Sequence, residues 1–255
     1  MTVVLVGVGA DTEHLRPALE LTEGGEFDYI PIPESYSTTE ESTYGNWELQ
    51  HRGGYASEFV DKISPRGEDS DWIRDSERIE SHAVHHDPNF ETMTFGDRRR
   101  QGRKGTTLVK HLESTGKDVL GFYTGMRKGP EDSNLNRFLY GYMTVKVIHD
   151  LSQLDGDEYH DAIGQFPENA HAKRLAAAGT PKHDDLVIVE GCSPTSKIRT
   201  PIKISERLDQ PPWYQVSQSF ADEFNVKGGQ KGIGRKFPLI LDMDGDVFIN
   251  KIERA

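Results

Sequence analysis

The sequence predicts an α+β fold in which helices and long loops surround a curved, mostly antiparallel sheet or a partly open β-barrel. Apolar runs rich in β-branched and aromatic residues at 119–125 and 138–148 are typical of buried strands, and the polar segment between them predicts a hairpin. Helical periodicity is found mainly at 157–178. No internal repeat or linker is visible, so we expect one domain over residues 1–255, with a polar, loop-rich insertion around 35–80.

The composition restricts the compartment and the binding partners that we expect for the protein. Its 42 acidic and 30 basic residues give a formal charge of -12, which repels nucleic acid unless the basic residues gather on one face. An acidic surface is equally typical of adaptation to a high-salt cytoplasm. The mean hydropathy is -0.66 and no run approaches the roughly 20 apolar residues that cross a bilayer, so we expect no membrane association. The first residues lack the basic region of a signal peptide, and Cys192 is the only cysteine, which favours the reducing cytoplasm.

The first half of the chain contains an incomplete dinucleotide-binding motif. Residues 3–9 form a β-branched run that ends in glycine and predicts a buried opening strand. Its glycines resemble a dinucleotide-binding loop, but Thr12 stands where that motif needs a third glycine, and Pro17 would interrupt the following helix.

Residues 27–34 alternate apolar residues with polar residues or prolines, which predicts an edge strand or an extended segment, and 108–112 suits a short helix.

The second half of the chain is predicted to end in strands. Asn169 is placed as the N-cap of the helix that follows it. Strands are predicted at 186–191 and 201–205, on either side of a turn at 193–196. The last apolar segments predict a hairpin whose turn covers residues 242–246.

Two carboxylates in the middle of the chain are candidate catalytic or binding groups. Asp87 and Asp97 occur at Asp-Pro and Gly-Asp steps, which place carboxylates at turns, where they can project into a cleft. Each can accept a hydrogen bond from a base edge or a ribose hydroxyl, or act as a general base. The structural alternative is that each carboxylate only caps its turn.

The predicted helix after Asn169 begins with groups that suit an anion. His171 follows the cap, where backbone N–H groups and the helix dipole favour negative charge, and Lys173 and Arg174 add positive charge. A phosphate would fit this corner, or Asn169 and His171 can read a base. The alternative is an ordinary capped surface helix with solvated charges.

Metal and nucleophile motifs are weak in this sequence. His82, His85, His86 and Asp87 offer imidazole and carboxylate ligands, but their spacing matches no strong metal signature. The acidic turn at 242–246 has its glycine at the fourth position instead of the sixth that a calcium loop needs. No nucleophile-elbow motif of the G-x-S-x-G type appears. We therefore predict neither a metal nor a cofactor, and we expect no serine hydrolase.

Several segments together resemble one family across nearly the whole chain. The segments are VLVGVGA at 4–10, IPIPE at 30–34, HDPNFETMTFGD at 86–97, LGFYTG at 120–125, LYGY at 139–142 and NAHAKR at 169–174. They resemble the family called nucleotide modification associated domain 3, and the likeness implies a setting in DNA or nucleotide modification without fixing a reaction.

A weaker, fold-level similarity concerns the predicted hairpin, which resembles the core hairpin of small barrels of the PUA, ASCH and EVE type. Several of those domains bind modified bases. Phe122, Tyr123, Tyr140 and Tyr142 lie on its two strands, where aromatic rings can stack on a base turned out of a duplex. The alternative is that all four rings pack in the core.

Two functional hypotheses follow, and both place residues 86–97 and 169–174 at one cavity. The first is a protein that binds a modified base or nucleotide, free or in nucleic acid, with a modification or defence complex as a further partner. The expected base- or nucleotide-binding residues are Glu34, His86, Thr94, Phe95, Tyr123, Tyr142, Asn169, Lys173 and Arg174. The expected nucleic-acid backbone contacts are the basic residues that follow Asp97, namely Arg98, Arg99, Arg100, Arg103 and Lys104.

The second hypothesis is an enzyme that acts on a nucleotide or nucleobase in a DNA modification pathway. Its expected catalytic residues are Asp87, Asp97 and His171, which supply carboxylate and imidazole groups for proton transfer. A protein that serves only as an adaptor in such a complex is a third, structural possibility.

Overall fold

The computed structural model describes residues 1–8, 14–65, 71–99, 104–129, 135–181, 184–211, 213–229, 231–234 and 238–254. The strands are β1 (Val3–Gly7), β2 (Leu15–Arg16), β3 (Ile32–Pro33), β4 (Lys62–Ile63), β5 (Val84–His85), β6 (Thr94–Arg98), β7 (Val119–Met126), β8 (Asn136–Asp150), β9 (Leu186–Lys203), β10 (Ser205–Arg207), β11 (Tyr214–Val216) and β12 (Leu239–Leu241). The α-helices are α1 (Ala56–Phe59), α2 (Ser76–Glu80), α3 (Lys104–His111), α4 (Gly156–Gly164), α5 (Ala170–Ala178), α6 (Gln218–Glu223) and α7 (Gly245–Ile252), and a 3-10 turn covers Leu151–Gln153.

Six strands form one strongly curled sheet in the order β12-β1-β7-β8-β9-β6. Strand β1 runs parallel to β7, and every other neighbouring pair in the sheet is antiparallel. The predicted hairpin is the β7–β8 pair, and three short two-stranded sheets pair β10 with β11, β2 with β4 and β3 with β5. The predicted α+β class with a curved, mostly antiparallel sheet is confirmed.

The sheet is buried on both faces, which explains why its strands are almost continuously apolar. In β1, Val4 and Val6 face one core, whereas Val3 and Leu5 face the other. Helices α6 and α7 cover the second face, and Phe248 of α7 is completely buried there. The loop-rich first third of the chain covers the first face, and this is the side on which the candidate site lies.

The segment around 35–80 is mostly loop, as the sequence predicts, with α1, β4 and α2 as its regular elements among the described residues. It contributes more to the core than its polar composition indicates, because Tyr44, Leu49, Ile63 and Ile79 are all buried. The Tyr44 hydroxyl donates to the carbonyl of Pro31 at 2.8 Å. These contacts fix the loops against the sheet and so position the side chains that they carry.

The turn predicted at 193–196 is wrong, because strand β9 continues through it as one strand of 18 residues. Thr195 pairs with Met143 of β8 and Cys192 pairs with the next residue, Thr144, so the two residues between them are extra. A β-bulge absorbs such extra residues without ending the strand. The hydroxyl of Thr195 donates to the carbonyl of Cys192 at 2.7 Å and closes the bulge locally.

The hairpin predicted at the end of the chain is also wrong, because its second half is helix α7. The Asp244 carboxylate accepts hydrogen bonds from the backbone N–H groups of Asp246 at 2.9 Å and Val247 at 3.4 Å, which makes Asp244 an N-cap. A Cβ at Gly245 would lie 2.3 Å from the carbonyl oxygen of Lys117, so glycine permits the close approach. In the described part of the chain, no helix is both long enough and apolar enough to cross a bilayer.

Candidate functional site

Five charged or titratable side chains meet behind the loops of the first face. This group, called the buried ionic cluster below, consists of Glu34, His85, Asp87, His171 and Arg174. Nε2 of His171 lies 3.4 Å from Oδ2 of Asp87, and Nδ1 of His85 lies 3.1 Å from Oε2 of Glu34. Arg174 donates to Glu34 through Nη2 at 2.7 Å. The structure thus brings residues from 86–97 and 169–174 into direct contact.

Asn169 connects the two segments. Its Oδ1 accepts from the backbone N–H of His171 at 3.0 Å, which confirms Asn169 as the N-cap of α5. Its Nδ2 donates to Oγ1 of Thr94 in β6 at 3.4 Å. Asn169 is completely buried, so this side chain fixes the first turn of α5 against the sheet and directs His171 towards Asp87.

Gly96 of β6 holds the carboxylate of Asp87. Its backbone N–H donates to both carboxylate oxygens, at 3.1 and 3.0 Å. A Cβ at position 96 would lie 2.4 Å from Cδ2 of His171. Glycine is therefore needed at this position because any side chain would displace the imidazole from Asp87.

The electrostatics of the cluster keep Glu34 charged and His85 neutral. Burial by itself would raise the pKa of Glu34, but the hydrogen bonds from His85 and Arg174 and the charge of the Arg174 guanidinium outweigh it and lower the pKa to about 2. Burial and the charge of Arg174 lower the pKa of His85, and Glu34 opposes this shift only in part. The lowered pKa favours the uncharged imidazole of His85, which offers a lone pair to a hydrogen-bond donor or a metal.

A cleft of about 800 Å³ opens beside the buried ionic cluster. His86 and Asn89, on either side of Asp87 and Pro88 in the chain, line it together with Trp47 and Phe90. The rings of Trp47 and His86 lie 4.8 Å apart at 84°, an edge-to-face arrangement. The cleft therefore has an aromatic wall, and the described residues that line it include none of the five cluster residues.

The charge of the cleft is mainly negative. Its lining contains the carboxylates of Asp28, Glu40, Glu48, Glu91 and Glu168 and the ammonium groups of Lys173 and Lys197. Nζ of Lys173 lies 3.0 Å from Oε2 of Glu40 and 2.8 Å from Oε2 of Glu168. The two cations of the predicted phosphate corner, Lys173 and Arg174, are thus both paired with carboxylates.

Three of the predicted base-binding aromatic residues lie in the core and away from this cleft. Tyr123 and Tyr142 belong to the core on the second face, where their hydroxyls donate to the carbonyl of Gly234 at 3.1 Å and to Glu253 at 2.9 Å. Phe95 is 2% exposed and packs edge-to-face on Phe122 at 5.4 Å. Thr94 is buried as well, with its hydroxyl at Asn169.

Asp97, Arg98, Arg99 and Lys104 are paired outside the buried ionic cluster. Nζ of Lys104 lies 3.3 Å from Oδ2 of Asp97, and Nε of Arg98 donates to Asp185 at 2.8 Å. Arg99 is paired with Asp150. Arg100 and Arg103 lie outside the described residues.

Sequence reasoning missed the aromatic side chains of the cleft, Trp47, Phe90 and Tyr29. A signal for Trp47 existed, because it is one of few large apolar residues in a polar segment. Nε1 of Trp47 donates to the carbonyl of Tyr29 at 2.8 Å, and this bond between distant residues is not visible in a sequence. His85 was considered only together with its neighbours in the chain, whereas its partners in the structure are Glu34 and Arg174.

Comparison with known proteins identifies a family. The sequence profile described as nucleotide modification associated domain 3 matches residues 2–234 of the chain, a range that includes the complete buried ionic cluster and every residue that lines the cleft. No curated protein and no solved structure matches the chain. The profile covers far more than half of the 255 residues. The chain therefore belongs to the nucleotide modification associated domain 3 family, whose name associates it with nucleotide modification.

Proposed function

We propose that the cleft binds a modified or unusual base, presented by a nucleoside or by a single strand of nucleic acid. The observation that carries this proposal is the Trp47–His86 edge-to-face pair, which forms an aromatic wall in a cleft of about 800 Å³. This volume lies within the roughly 300–1,000 Å³ of typical small-molecule sites. Stacking of a base on an aromatic side chain contributes about 1–3 kcal/mol.

The charge of the cleft supports a base as the bound part. Five carboxylates and two lysines line it, so a phosphate would meet repulsion, whereas the amino and imino N–H groups of a base would meet acceptors. Lys173 is paired with Glu40 and Glu168, which removes the most suitable partner of a phosphate. We therefore place the base inside the cleft and the phosphate towards solvent.

The test is a binding series with unmodified and modified nucleosides, their monophosphates, and short single strands that carry one modified base. Trp47→Ala should lower the affinity at least tenfold, which corresponds to about 1.4 kcal/mol, and Trp47→Phe should restore most of it. Trp213→Ala is the matched control, because Trp213 is 54% exposed and is not part of the cleft. Equal affinities for wild type and Trp47→Ala would exclude this cleft as the binding site.

A second candidate function is an enzyme that acts on the bound base, and one observation favours it. His171 and Asp87 lie 3.4 Å apart next to the neutral imidazole of His85, and these are groups suited to moving a proton. Incubation with a nucleotide panel followed by mass spectrometry tests it. Turnover that is lost in His171→Gln supports the enzyme, and tight binding without turnover of any substrate supports a binding protein.

A further inference from the structure

We propose that His85, Asp87 and His171 bind one divalent first-row transition-metal ion. One ligand atom of each residue lies within 4.8 Å of the ligand atoms of the other two. The three residues come from β5, from the loop that follows it and from the first turn of α5. All three side chains are largely buried, with 10%, 2% and 12% of their surfaces exposed, so the ligands are held by the fold.

The geometry is close to that of a coordination site. A triangle with sides of 4.8 Å has its corners about 2.8 Å from its centre, and metal bonds to imidazole nitrogen and carboxylate oxygen measure about 2.0–2.2 Å. Each ligand therefore has to move inward by at most about 0.6–0.8 Å. Two imidazoles and one carboxylate are a donor set that suits zinc or iron and leaves coordination positions open.

The surroundings of the three ligands are those that metal sites need. The N–H of Gly96 fixes both oxygens of Asp87, at 3.1 and 3.0 Å. The carboxylate of Glu34 lies 3.1 Å from Nδ1 of His85. Carboxylates in this position orient metal-binding imidazoles, and their removal typically costs 10–100-fold in metal affinity.

The charge of the cluster also favours a cation. Arg174 and Glu34 neutralise each other at 2.7 Å, so Asp87 leaves the cluster with one formal negative charge when both imidazoles are neutral. Nη2 of Arg174 lies 3.0 Å from Nδ1 of His85, and Nη1 lies 3.4 Å from Nδ1 of His171. Because Glu34 and Arg174 contact these rings at Nδ1, the ion would bind through the other nitrogen of each ring, and the ion pair between Arg174 and Glu34 can persist.

This set differs from the group that the spacing of the histidines suggests. Nε2 of His82 is hydrogen-bonded to the carbonyl of Glu34 at 2.9 Å, and His86 lies at the wall of the cleft against Trp47. Only His85 and Asp87 remain from the sequence cluster, and His171 completes the set from the other half of the chain.

The experiment uses the full chain after dialysis against a chelator, without any nucleotide, so its outcome is independent of the proposed base binding. We expect one Zn²⁺ per chain by calorimetry and a Co²⁺ adduct with visible absorption bands. His171→Gln should weaken the Zn²⁺ affinity at least tenfold, and Glu34→Gln about 10–100-fold. His149→Gln is the matched control, because Nε2 of His149 faces a carboxylate oxygen of Glu190 at 3.2 Å outside the cluster.

The outcomes separate a metal site from a purely structural ion cluster. Wild-type protein that binds no ion, or a folded His171→Gln variant that binds Zn²⁺ as tightly as wild type, overturns the proposal. If His171→Gln does not fold, pulsed electron paramagnetic resonance of the wild-type Cu²⁺ adduct decides. Two coordinated imidazoles support the site, and fewer than two reject it.

Discussion

Nε2 of His171 lies 3.4 Å from Oδ2 of Asp87, although His171 is in the first turn of a helix in the second half of the chain and Asp87 follows a short strand in the first half. Strand β6 makes this contact possible, because Gly96 binds Asp87 and Thr94 binds the cap of α5. The candidate site is therefore assembled around one strand.

Gly96→Ala should destabilise the fold by about 1–3 kcal/mol, because overpacking of a buried site has a cost of this size. The added Cβ would lie 2.4 Å from Cδ2 of His171 and force the imidazole away from Asp87. Chemical denaturation measures the loss. Gly164→Ala, where a Cβ meets no atom within 4 Å, is the control and should be neutral or slightly stabilising. Equal stability of the two variants contradicts the close approach.

Asn169→Ala should lower the free energy of unfolding by about 1–2 kcal/mol, because it removes an N-cap together with a buried hydrogen bond to Thr94. Asn169→Asp keeps the capping oxygen but loses the Nδ2 donor, so its stability should lie between those of wild type and Asn169→Ala. Thermal unfolding followed by circular dichroism measures all three proteins. If Asn169→Asp is as unstable as Asn169→Ala, the cap contributes little.

Glu34 should make the fold sensitive to acid. Its folded pKa of about 2 lies below the ordinary value of 4.5, so the unfolded chain binds the proton more readily as the pH falls. The stabilisation is complete above pH 4.5 and is lost as the pH falls towards 2. A shift of this size corresponds to about 3 kcal/mol.

The measurement is the free energy of unfolding of wild type and Glu34→Gln between pH 2 and 7, in the presence of a chelator. The difference between the two proteins should be large and constant above pH 5 and should shrink below pH 4.5. A difference that stays constant down to pH 2 would falsify the low pKa of Glu34.

Neutralising Arg98 and Arg99 together should change the affinity for single-stranded nucleic acid and its salt dependence little. Arg98 is already bonded to Asp185, and Arg99 to Asp150 and Ser152. Binding isotherms of the Arg98→Gln, Arg99→Gln double variant at several salt concentrations provide the check. A salt slope that falls by about 0.7 per residue would show instead that both guanidinium groups contact phosphates.

The sheet and its central hairpin could be predicted from the sequence because strands buried on both faces leave a plain apolar signal, as in Val3 to Val6. The continuation of β9 through Pro194 could not be predicted, because proline usually ends a strand and the bulge that absorbs it depends on pairing with β8. Helix α7 was missed for a similar reason, since Asp244 acts as a cap rather than as a turn residue.

The candidate site was predicted in part. The segments around Asp87 and His171 were expected together from the family resemblance, and the structure places them in contact. The pairing of Arg174 with Glu34 and of Lys173 with Glu40 and Glu168 depends on long-range packing. For that reason the sequence predicted an anion site where, in the structure, Lys173 and Arg174 are already paired with carboxylates.

The bond between Gly96 and Asp87 has a consequence for solubility. Strand β6 is the outermost strand of the sheet beside β9, and alternate N–H groups along its outer side would be open to another chain. The N–H groups of Thr94, Gly96 and Arg98 are instead bonded to Asn89, Asp87 and Asp97 of the same chain. Loss of the Asp87 carboxylate would leave the N–H of Gly96 on this edge without its partner, so a substitution of Asp87 should promote aggregation as well as disturb the site.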